Sequence, residues 1–385
     1  MSERILDLDL AALRERTSAK WTAYPPDVIP AWVAEMDVRL APEVRSALGA
    51  ALDLGDTGYP TAPTYTSAFV DFAHRHWDWA VAPELTRLAP DVMMGILLLL
   101  LKVTDEGDSV VINDPVYPPF DHFPRLAGRQ VVRAELTVDD RLDLQTLESA
   151  FAAATRTGRR AAYLLCSPHN PTGTVHDVDE LSTLARLAHR YGVTVISDEI
   201  HAPIIYAPST FVPYLTVPMT EGAFAVHSAA KTFSLAGLKA GMLVGGSDGA
   251  AVLQQLAHGP NASLSGVIAQ STAWVHGDAW LARLLAELDE NRRLVVEQLA
   301  RDLPEITVRM PAATYLMWLD CRALELAEDP AAFFLDRARV ALNSGPTFGP
   351  RGSGHVRLNI ATSPAILGEI VDRLTASVRE RSRHR

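Results

Sequence analysis

The chain has 385 residues, of which 48% are hydrophobic and 21% are charged, and its 46 acidic side chains exceed its 35 basic ones. This balance suits a globular protein of two or three domains and excludes a disordered or collagen-like chain. The formal net charge of −11 argues against sequence-independent nucleic-acid binding and against docking on an anionic membrane, because both need a cationic face.

The sequence shows no secretory or membrane-spanning pattern. Its longest apolar stretch, from Val92 to Leu101, is well short of the roughly 20 residues that a membrane helix needs. The first ten residues carry acids where a secretory signal carries positive charge. Two cysteines, Cys166 and Cys321, are too few for a disulfide framework. We therefore expect a cytoplasmic protein with no membrane partner.

Helix and strand patterns alternate along most of the chain. The first 40 residues, rich in proline and tryptophan, predict an irregular arm. A helix is predicted over 42–54 with Pro42 in its first turn, and another follows Asp91, whose side chain can cap it. Short apolar runs separated by helical stretches such as 177–191 predict buried parallel strands. These runs lie at residues 109–112, 161–166, 193–197, 223–227 and 241–244.

After about residue 285 the pattern changes to helices that flank two strands. The helices are predicted over 280–303 and 330–341, and the strands over 313–320 and 356–360. We expect an α/β fold with a mainly parallel sheet of about seven strands flanked by helices, plus a smaller α+β domain. The predicted divisions are residues 1–45 as an arm and part of the small domain, 46–285 as the large domain and 286–385 as the rest of the small domain.

Polar side chains follow three of the predicted strands, and they are Asn170, Asp198, Ser228 and Lys231. Because parallel strands carry their functional groups at their C-terminal ends, we expect these side chains to meet at one edge of the sheet. An amine, a carboxylate, an amide and a hydroxyl are the groups that pyridoxal 5′-phosphate (PLP) needs. The amine captures its aldehyde, the carboxylate keeps its ring nitrogen protonated, and the amide and hydroxyl bind its ring oxygen and phosphate.

Three motifs surround these residues: Ser167-Pro-His-Asn-Pro-Thr-Gly173, Ser197-Asp-Glu-Ile-His201 and Ser228-Ala-Ala-Lys231. They resemble the signatures of fold-type I PLP enzymes, the aminotransferase-like superfamily. Further blocks resemble the cystathionine β-lyase branch of the class I/II aminotransferases, the MalY/PatB type. These blocks are Ala31-Trp-Val-Ala-Glu-Met-Asp37, Asp114-Pro-Val-Tyr-Pro-Pro-Phe120, Lys231-Thr-Phe-Ser-Leu-Ala-Gly237 and Val356-Arg-Leu-Asn-Ile-Ala-Thr362. The resemblance covers nearly the whole chain.

The resemblance implies a role for each residue around the cofactor ring. Lys231 would bind the cofactor aldehyde and move the proton of the substrate Cα, and Asp198 would pair with the ring nitrogen. Asn170 would bond the ring oxygen, and Tyr117 would stack on the ring. His201 stands near the ring oxygen, where many aminotransferases have a tyrosine and where a histidine suits the lyase branch.

The resemblance also implies anchors for the two anionic groups. Ser228, Lys239 and backbone N–H groups near Val92 and Met93 would hold the phosphate. Arg357 would receive the substrate α-carboxylate through a two-point guanidinium fork, which lysine cannot supply.

Tyr59, in the motif Gly58-Tyr-Pro60, would reach the phosphate of a neighbouring subunit, and this implies a homodimer. Besides His201, two positions depart from the family pattern. Asp91 stands where family members usually have a glycine, and its carboxylate would repel phosphate unless it turns back to cap its own helix. Pro203 stands where the branch commonly has an aspartate.

The activity implied by the resemblance is α,β-elimination from cystathionine or a related cysteine S-conjugate, which gives a thiol, pyruvate and ammonia. An aminotransferase of an α-amino acid, or a specialised PLP reaction in secondary metabolism, is the alternative, and no single residue chooses between them. A regulatory partner of a transcription factor is a hypothesis of another class. The full set of PLP-type residues argues against a non-catalytic protein. No metal is expected, because His74 and His76 lack ligand-like neighbours.

Overall fold

The structure is a computed structural model of the chain, and it describes residues 4–256 and 262–383. These residues form two compact units. The larger unit takes residues 40–169 and 174–281. The smaller unit takes the chain up to residue 39, residues 170–173 and the chain from residue 282 onward. The boundary after residue 281 falls within a long helix, Asp278–Asp302.

Several helices begin where the sequence offers a cap or a proline. Asp91, Asp143 and Asp177 each accept a first-turn N–H through a carboxylate oxygen, and Pro42 and Pro63 occupy first-turn positions where no N–H is needed. The helices are α1 (Leu10–Arg14), α2 (Ala19–Thr22), α3 (Pro42–Asp53), α4 (Pro63–Trp77), α5 (Val92–Val103), α6 (Pro119–Leu126), α7 (Leu144–Thr155), α8 (Val178–Tyr191), α9 (Ala250–Gln255), α10 (Leu264–His276), α11 (Asp278–Asp302), α12 (Pro330–Phe333) and α13 (Pro364–Arg383).

The strands are short, with no more than six residues in any described one. They are β1 (Ile29–Pro30), β2 (Thr86–Ala89), β3 (Ser109–Asp114), β4 (Gln130–Glu135), β5 (Ala161–Cys166), β6 (Val193–Asp198), β7 (Phe224–His227), β8 (Gly241–Gly245), β9 (Thr307–Val308), β10 (Leu316–Asp320), β11 (Val340–Ala341), β12 (Asn343–Ser344) and β13 (His355–Asn359).

The larger unit contains a seven-stranded sheet in the order β2-β8-β7-β6-β5-β3-β4. Every neighbouring pair is parallel except the two pairs of β8, which runs antiparallel to both β2 and β7. The predicted α/β class with a mainly parallel sheet is confirmed. The sequence does not predict β2 and β4, because these edge strands carry charged residues such as Arg87 and Arg133 in place of a continuous apolar run.

Helices cover both faces of this sheet. Along β5, Ala161, Tyr163 and Leu165 pack in a core with α7 and α8, while Ala162 and Leu164 pack in a second core with α5 and α6. This alternation explains why β5 is a continuous apolar run, since both of its faces are buried. Each fully buried leucine in these cores contributes about 2 kcal/mol of transfer free energy.

The smaller unit contains two small sheets. One has the order β12-β13-β10-β9 and is antiparallel, and the other pairs β1 with β11 in parallel. Residues 4–39 belong to this unit, and the Asn359 side chain donates to the carbonyls of Val33 and Glu35 at 2.8 and 2.7 Å. The expectation of an irregular arm is wrong where α1, α2 and β1 interrupt it.

The helix predicted over 330–341 is also wrong in its second half. Helix α12 ends at Phe333, a wider turn of the π type covers Phe334–Ala338, and β11 follows. Arg339 adopts a left-handed conformation with φ of 55°, which ends the helical path. Its carbonyl then accepts the N–H of Ile29 at 2.9 Å, so pairing with β1 replaces the last helical turn.

Residues 170–173 belong to the smaller unit, although the sequence prediction places them in the large domain. The carbonyl of Gly173 accepts the N–H groups of both Ala312 and Ala313 at 3.0 Å. Gly173 has φ of +70°, and a Cβ there would lie 2.5 Å from the Pro311 Cβ. Only glycine accommodates this conformation and this close approach.

Candidate active site

Three neighbouring parallel strands of the larger unit end together. Cys166, the last residue of β5, lies opposite Asp198, the last residue of β6, and Asp198 lies opposite Val226 in β7. Ser228 directly follows β7, and Lys231 lies three residues further on. The structure therefore brings Asp198, Ser228 and Lys231 to the same edge of the sheet.

Asp198 is buried, with only 5% of its surface exposed. Burial raises its pKa from 3.8 to about 7, and the neighbouring charge of Glu199 acts in the same direction. The Ile200 N–H, which bonds Asp198 Oδ1 at 3.1 Å, and the charge of Lys231 both lower this pKa. A carboxylate desolvated in this way gains from a cation placed beside it, because the cation stabilises the charged form.

A buried hydrogen-bond network holds the turn that begins at Ser228. The Ser228 Oγ lies 2.8 Å from the Ala240 carbonyl and 2.9 Å from Gln270 Oε1. The same Gln270 oxygen accepts the Ala229 N–H at 3.0 Å and the Tyr65 hydroxyl at 2.8 Å. Gln270 was not predicted as a site residue; its signal in the sequence is a polar amide within the largely apolar helix α10, where it is fully buried.

Helix α5 begins beside the start of β8. A Cβ on Gly241 would lie 2.9 Å from the carbonyl carbon of Asp91, so glycine permits this approach. Asp91 turns back to cap α5, and its Oδ1 accepts the Met94 N–H at 2.8 Å. Val92 and Met93 supply the first N–H groups of the helix. These groups have no carbonyl partner within it and suit an anion.

Lys239, one of the predicted phosphate ligands, pairs with Asp91. Its Nζ lies 2.9 Å from Asp91 Oδ2, and 57% of its side chain is exposed. An ion pair this exposed contributes at most about 1 kcal/mol, so a bound anion can compete for the Lys239 ammonium. One oxygen of Asp91 thus caps the N-terminus of α5, and the other binds Lys239.

Three further predicted residues of the larger unit lie in loops. Tyr117 follows β3, is half-buried and packs edge-to-face with Phe120, with ring centroids 6.2 Å apart. His201 is buried after β6, and its carbonyl accepts the Ile204 N–H at 2.9 Å across Pro203. Tyr59 lies between α3 and α4 with 94% of its surface exposed.

The remaining two predicted residues, Arg357 and Asn170, lie in the smaller unit and contact each other. The Arg357 Nη1 donates to Asn170 Oδ1 at 2.9 Å, and its Nη2 donates to the Trp32 carbonyl at 2.9 Å. Its guanidinium carbon lies 5.0 Å from the ring centroid of Phe348, a cation–π distance. Arg357 is 3% exposed, so it is a buried, oriented cation suited to an anionic group.

The residues of the larger unit fit PLP. Burial raises the pKa of the Asp198 carboxyl, so its charged form needs a neighbouring cation. A protonated pyridine nitrogen would be such a cation. Lys231 follows the next strand and supplies an amine, while the first turn of α5 supplies N–H groups for a phosphate. The absence of a side chain at Gly241 keeps this helix end close to the sheet edge.

Comparison with known protein families assigns the fold. The family described as aminotransferase class I and II matches residues 30–374 of the chain. The chain belongs to this family. The resemblance inferred from the sequence motifs is thereby confirmed. As in other members of this family, the fold is the fold-type I PLP architecture.

Relatives align with the chain over nearly its whole length. A Mycobacterium tuberculosis H37Rv protein, provisionally named cystathionine beta-lyase, is 48% identical over 97% of this chain and 98% of its own. The Bacillus subtilis cystathionine beta-lyase PatB is 31% identical over 91% and 93%. A crystal structure from Corynebacterium diphtheriae, provisionally assigned as a PLP-dependent beta-cystathionase, superposes with a TM-score of 0.92 at 32% identity over 97% and 99%.

Within residues 4–256 and 262–383, each helix is too short or too polar to span a bilayer. The same residues contain no group of three or more histidine, cysteine, aspartate or glutamate side chains arranged to hold a metal ion.

Proposed function

We propose that this protein is a PLP-dependent carbon–sulfur lyase that cleaves cystathionine or a related cysteine S-conjugate to a thiol, pyruvate and ammonia. The observation that carries this proposal is the buried Asp198 carboxylate, set at one sheet edge with Lys231. The relatives, aligned over nearly the full chain and named as cystathionine β-lyases, support the lyase activity.

PLP, when bound, supplies a protonated ring that accepts the electron pair left on the substrate Cα. Lys231 would hold the cofactor aldehyde through its amine and would take the substrate Cα proton on Nζ. Asp198 would hold the proton on the ring nitrogen, and its burial would strengthen that attraction. Tyr117 would contact the ring, and Asn170 and His201 would serve the ring oxygen.

The phosphate is held by the first turn of α5 and the turn after β7. The N–H groups of Val92 and Met93 donate to it, and the Ser228 hydroxyl and the Lys239 ammonium complete the set. Asp91 stays engaged with the Met94 N–H, so its carboxylate remains turned toward its own helix.

Arg357 binds the substrate α-carboxylate. The Phe348 ring and the acceptors on Asn170 and Trp32 orient its guanidinium, so two N–H groups of the fork are fixed in direction. The Asn170 oxygen accepts from Arg357, and the donor for a ring oxygen is therefore its amide nitrogen.

Elimination and transamination diverge after Lys231 has taken the Cα proton. In elimination, the electron pair of the Cβ–S bond leaves with sulfur as a thiolate, which is protonated. One water molecule then converts the three-carbon fragment to pyruvate and ammonia. In transamination, Lys231 would give up that proton again without loss of sulfur, and a keto acid would be needed to close the cycle.

We further propose a homodimer in which Tyr59 reaches the phosphate of the neighbouring subunit. Tyr59 is 94% exposed, so its side chain is available to contact a neighbouring subunit. We also propose a cytoplasmic location, which the presence of two free cysteines supports.

The proposed function is tested by supplying the purified holoenzyme with L-cystathionine and no keto acid. A lyase sustains pyruvate release over many turnovers and keeps its yellow colour. An aminotransferase stops after one turnover with the cofactor bleached, and that result would reject the lyase activity. Adding a keto acid then restores turnover only in the aminotransferase case.

A further inference from the structure

The residue next to Asp198 forms a second buried ionisable pair. The Oε2 of Glu199 lies 3.1 Å from the Nε2 of His227, and neither side chain is more than 3% exposed. The other oxygen of Glu199 accepts the Ser197 hydroxyl at 2.9 Å and the Tyr214 N–H at 2.9 Å. Two donors thus hold one oxygen of Glu199, and the His227 ring lies within ion-pair distance of the other.

His227 is fixed in place by aromatic side chains. Its ring lies 4.7 Å from that of Phe69, 5.5 Å from that of Trp77 and 5.6 Å from that of Trp79, measured between centroids. These contacts leave the imidazole little freedom to turn away from Glu199. The sequence gives little sign of the pair, because 27 positions separate its two members in the chain.

We propose that Glu199 and His227 are a positioning pair for Asp198: the fixed negative charge of Glu199 increases the tendency of Asp198 to hold a proton or a cation, and His227 keeps that charge in place. This inference deepens the proposed function and rests on it, since the cation would be the protonated cofactor ring. Glu199 is among the causes that raise the Asp198 pKa.

Other ionisable groups also face this edge of the sheet. Cys166 lies opposite Asp198 from β5, Lys231 acts from the turn after β7, and Tyr214 faces Glu199. Helix α5, which packs on β6, carries its lysine, Lys102, in its last turn, away from the end that Asp91 caps. Within this set, Glu199 is the acid adjacent to Asp198.

The test measures proton exchange when PLP binds to the apoenzyme, by calorimetry in buffers of different ionisation enthalpy over a range of pH. In Glu199→Gln, which keeps the shape and removes the charge, we expect the pH profile of proton exchange to move to lower pH by about one unit. His227→Phe removes the polar ring atom that lies 3.1 Å from Glu199 Oε2, so the carboxylate is no longer held beside Asp198 and the profile should move the same way.

Two matched variants separate this role from a structural one. His227→Gln keeps a polar N–H group beside Glu199 and should retain the wild-type profile. His176→Gln alters another buried histidine, which lies 3.6 Å from the carboxylate of Glu180, and should leave the profile unchanged. Circular dichroism verifies folding, and His227→Phe decides the question if Glu199→Gln does not fold.

Wild-type proton exchange in folded Glu199→Gln, or in folded His227→Phe, would overturn the inference. If the wild-type apoenzyme itself failed to bind PLP, the proposed function would fail instead, so the two failures are distinguishable.

Discussion

The carboxylate of Asp91 lies 2.9 Å from the ammonium of Lys239, so the residue that caps α5 is also bound to a predicted phosphate ligand. Asp91 stands where family members usually have a glycine, and its carboxylate would repel phosphate unless it capped its own helix. It does cap the helix, and Lys239 partly neutralises it. Asp91 therefore competes with the phosphate for the Lys239 ammonium.

The variant Asp91→Ala is expected to separate the capping of α5 by Asp91 from the competition between Asp91 and the phosphate. Loss of the cap lowers the free energy of unfolding of the apoenzyme by about 1 kcal/mol. Loss of the competing carboxylate tightens PLP binding by up to about fivefold, because an exposed pair contributes at most about 1 kcal/mol. Urea unfolding and fluorescence titration with PLP measure the two changes.

Asp143→Ala is the matched control, since Asp143 caps α7 through the Gln145 and Thr146 N–H groups at 3.0 and 3.1 Å. It should lower stability by a similar amount and leave PLP affinity unchanged. Weaker PLP binding in Asp91→Ala alone would contradict competition and would assign Asp91 to the phosphate-binding loop itself.

The buried Asp198 carboxyl predicts a pH dependence of apoenzyme stability. Its pKa is raised on folding from 3.8 to about 7, so the folded state binds the proton more tightly than the unfolded state. The contribution to stability is full below pH 3.8 and is lost as pH rises through about 7. The total change is at most about 4 kcal/mol.

This contribution is measured as the difference in unfolding free energy between wild type and Asp198→Asn, followed with pH in urea. We expect the wild type to lose stability relative to Asp198→Asn as pH rises from 3.8 to about 7, because the asparagine does not ionise. Bound PLP should remove the trend, since a ring cation stabilises the charged carboxylate. A difference that is flat with pH in the apoenzyme would show that Asp198 is already ionised.

Arg357→Lys is expected to weaken recognition of the substrate carboxylate. Lysine keeps the charge but lacks the planar fork that contacts Asn170 and Trp32. The loss of one charge-assisted hydrogen bond corresponds to about a 10- to 100-fold rise in KM. Steady-state kinetics with cystathionine measure this rise, and PLP affinity should be unchanged.

Phe348→Leu provides a graded comparison, because it removes the ring under the guanidinium but keeps an apolar side chain. Its KM should rise by less than that of Arg357→Lys. If Arg357→Lys left KM unchanged, the substrate carboxylate would have to be bound elsewhere.

The proposed role of Tyr59 across a subunit boundary is tested by mixing two inactive variants, Tyr59→Ala and Lys231→Ala. In a mixed dimer, the subunit with an intact Lys231 receives an intact Tyr59 from its partner, so activity should return on co-expression. If Tyr59 served its own subunit, every site in the mixture would remain defective. Size-exclusion chromatography with light scattering verifies the oligomeric state of each variant.

Much of the central sheet was accessible from the sequence, and the reason is burial on both faces. The run 161–166 coincides with β5 because alternate residues enter two separate cores. Strands β2 and β4 lie at the sheet edges, where Arg87 and Arg133 interrupt the apolar pattern, so no local signal marks them. The helix predicted over 330–341 does not reach residue 341, because the pairing of β11 with β1 outweighs helix propensity there.

In the site, too, the residues marked by local sequence were predicted, and the contacts between distant segments were not. Asp198, Ser228 and Lys231 were identifiable because strand ends collect functional groups, a rule that needs only chain order. Gln270 and the Glu199–His227 pair were not, because their partners lie on other elements and only the folded chain brings them together. The contact between Lys239 and Asp91 likewise joins positions 148 residues apart.

The central claim is Lys231-dependent β-elimination, and the product balance from L-cystathionine tests it most directly. Mass spectrometry of a reaction without keto acid should find homocysteine, pyruvate and ammonia in equal amounts over many turnovers. Lys231→Ala should form none of them, while Lys102→Ala, a change at an exposed lysine, should match the wild type. Release of cysteine and 2-oxobutyrate, or a single turnover followed by arrest, would contradict the account.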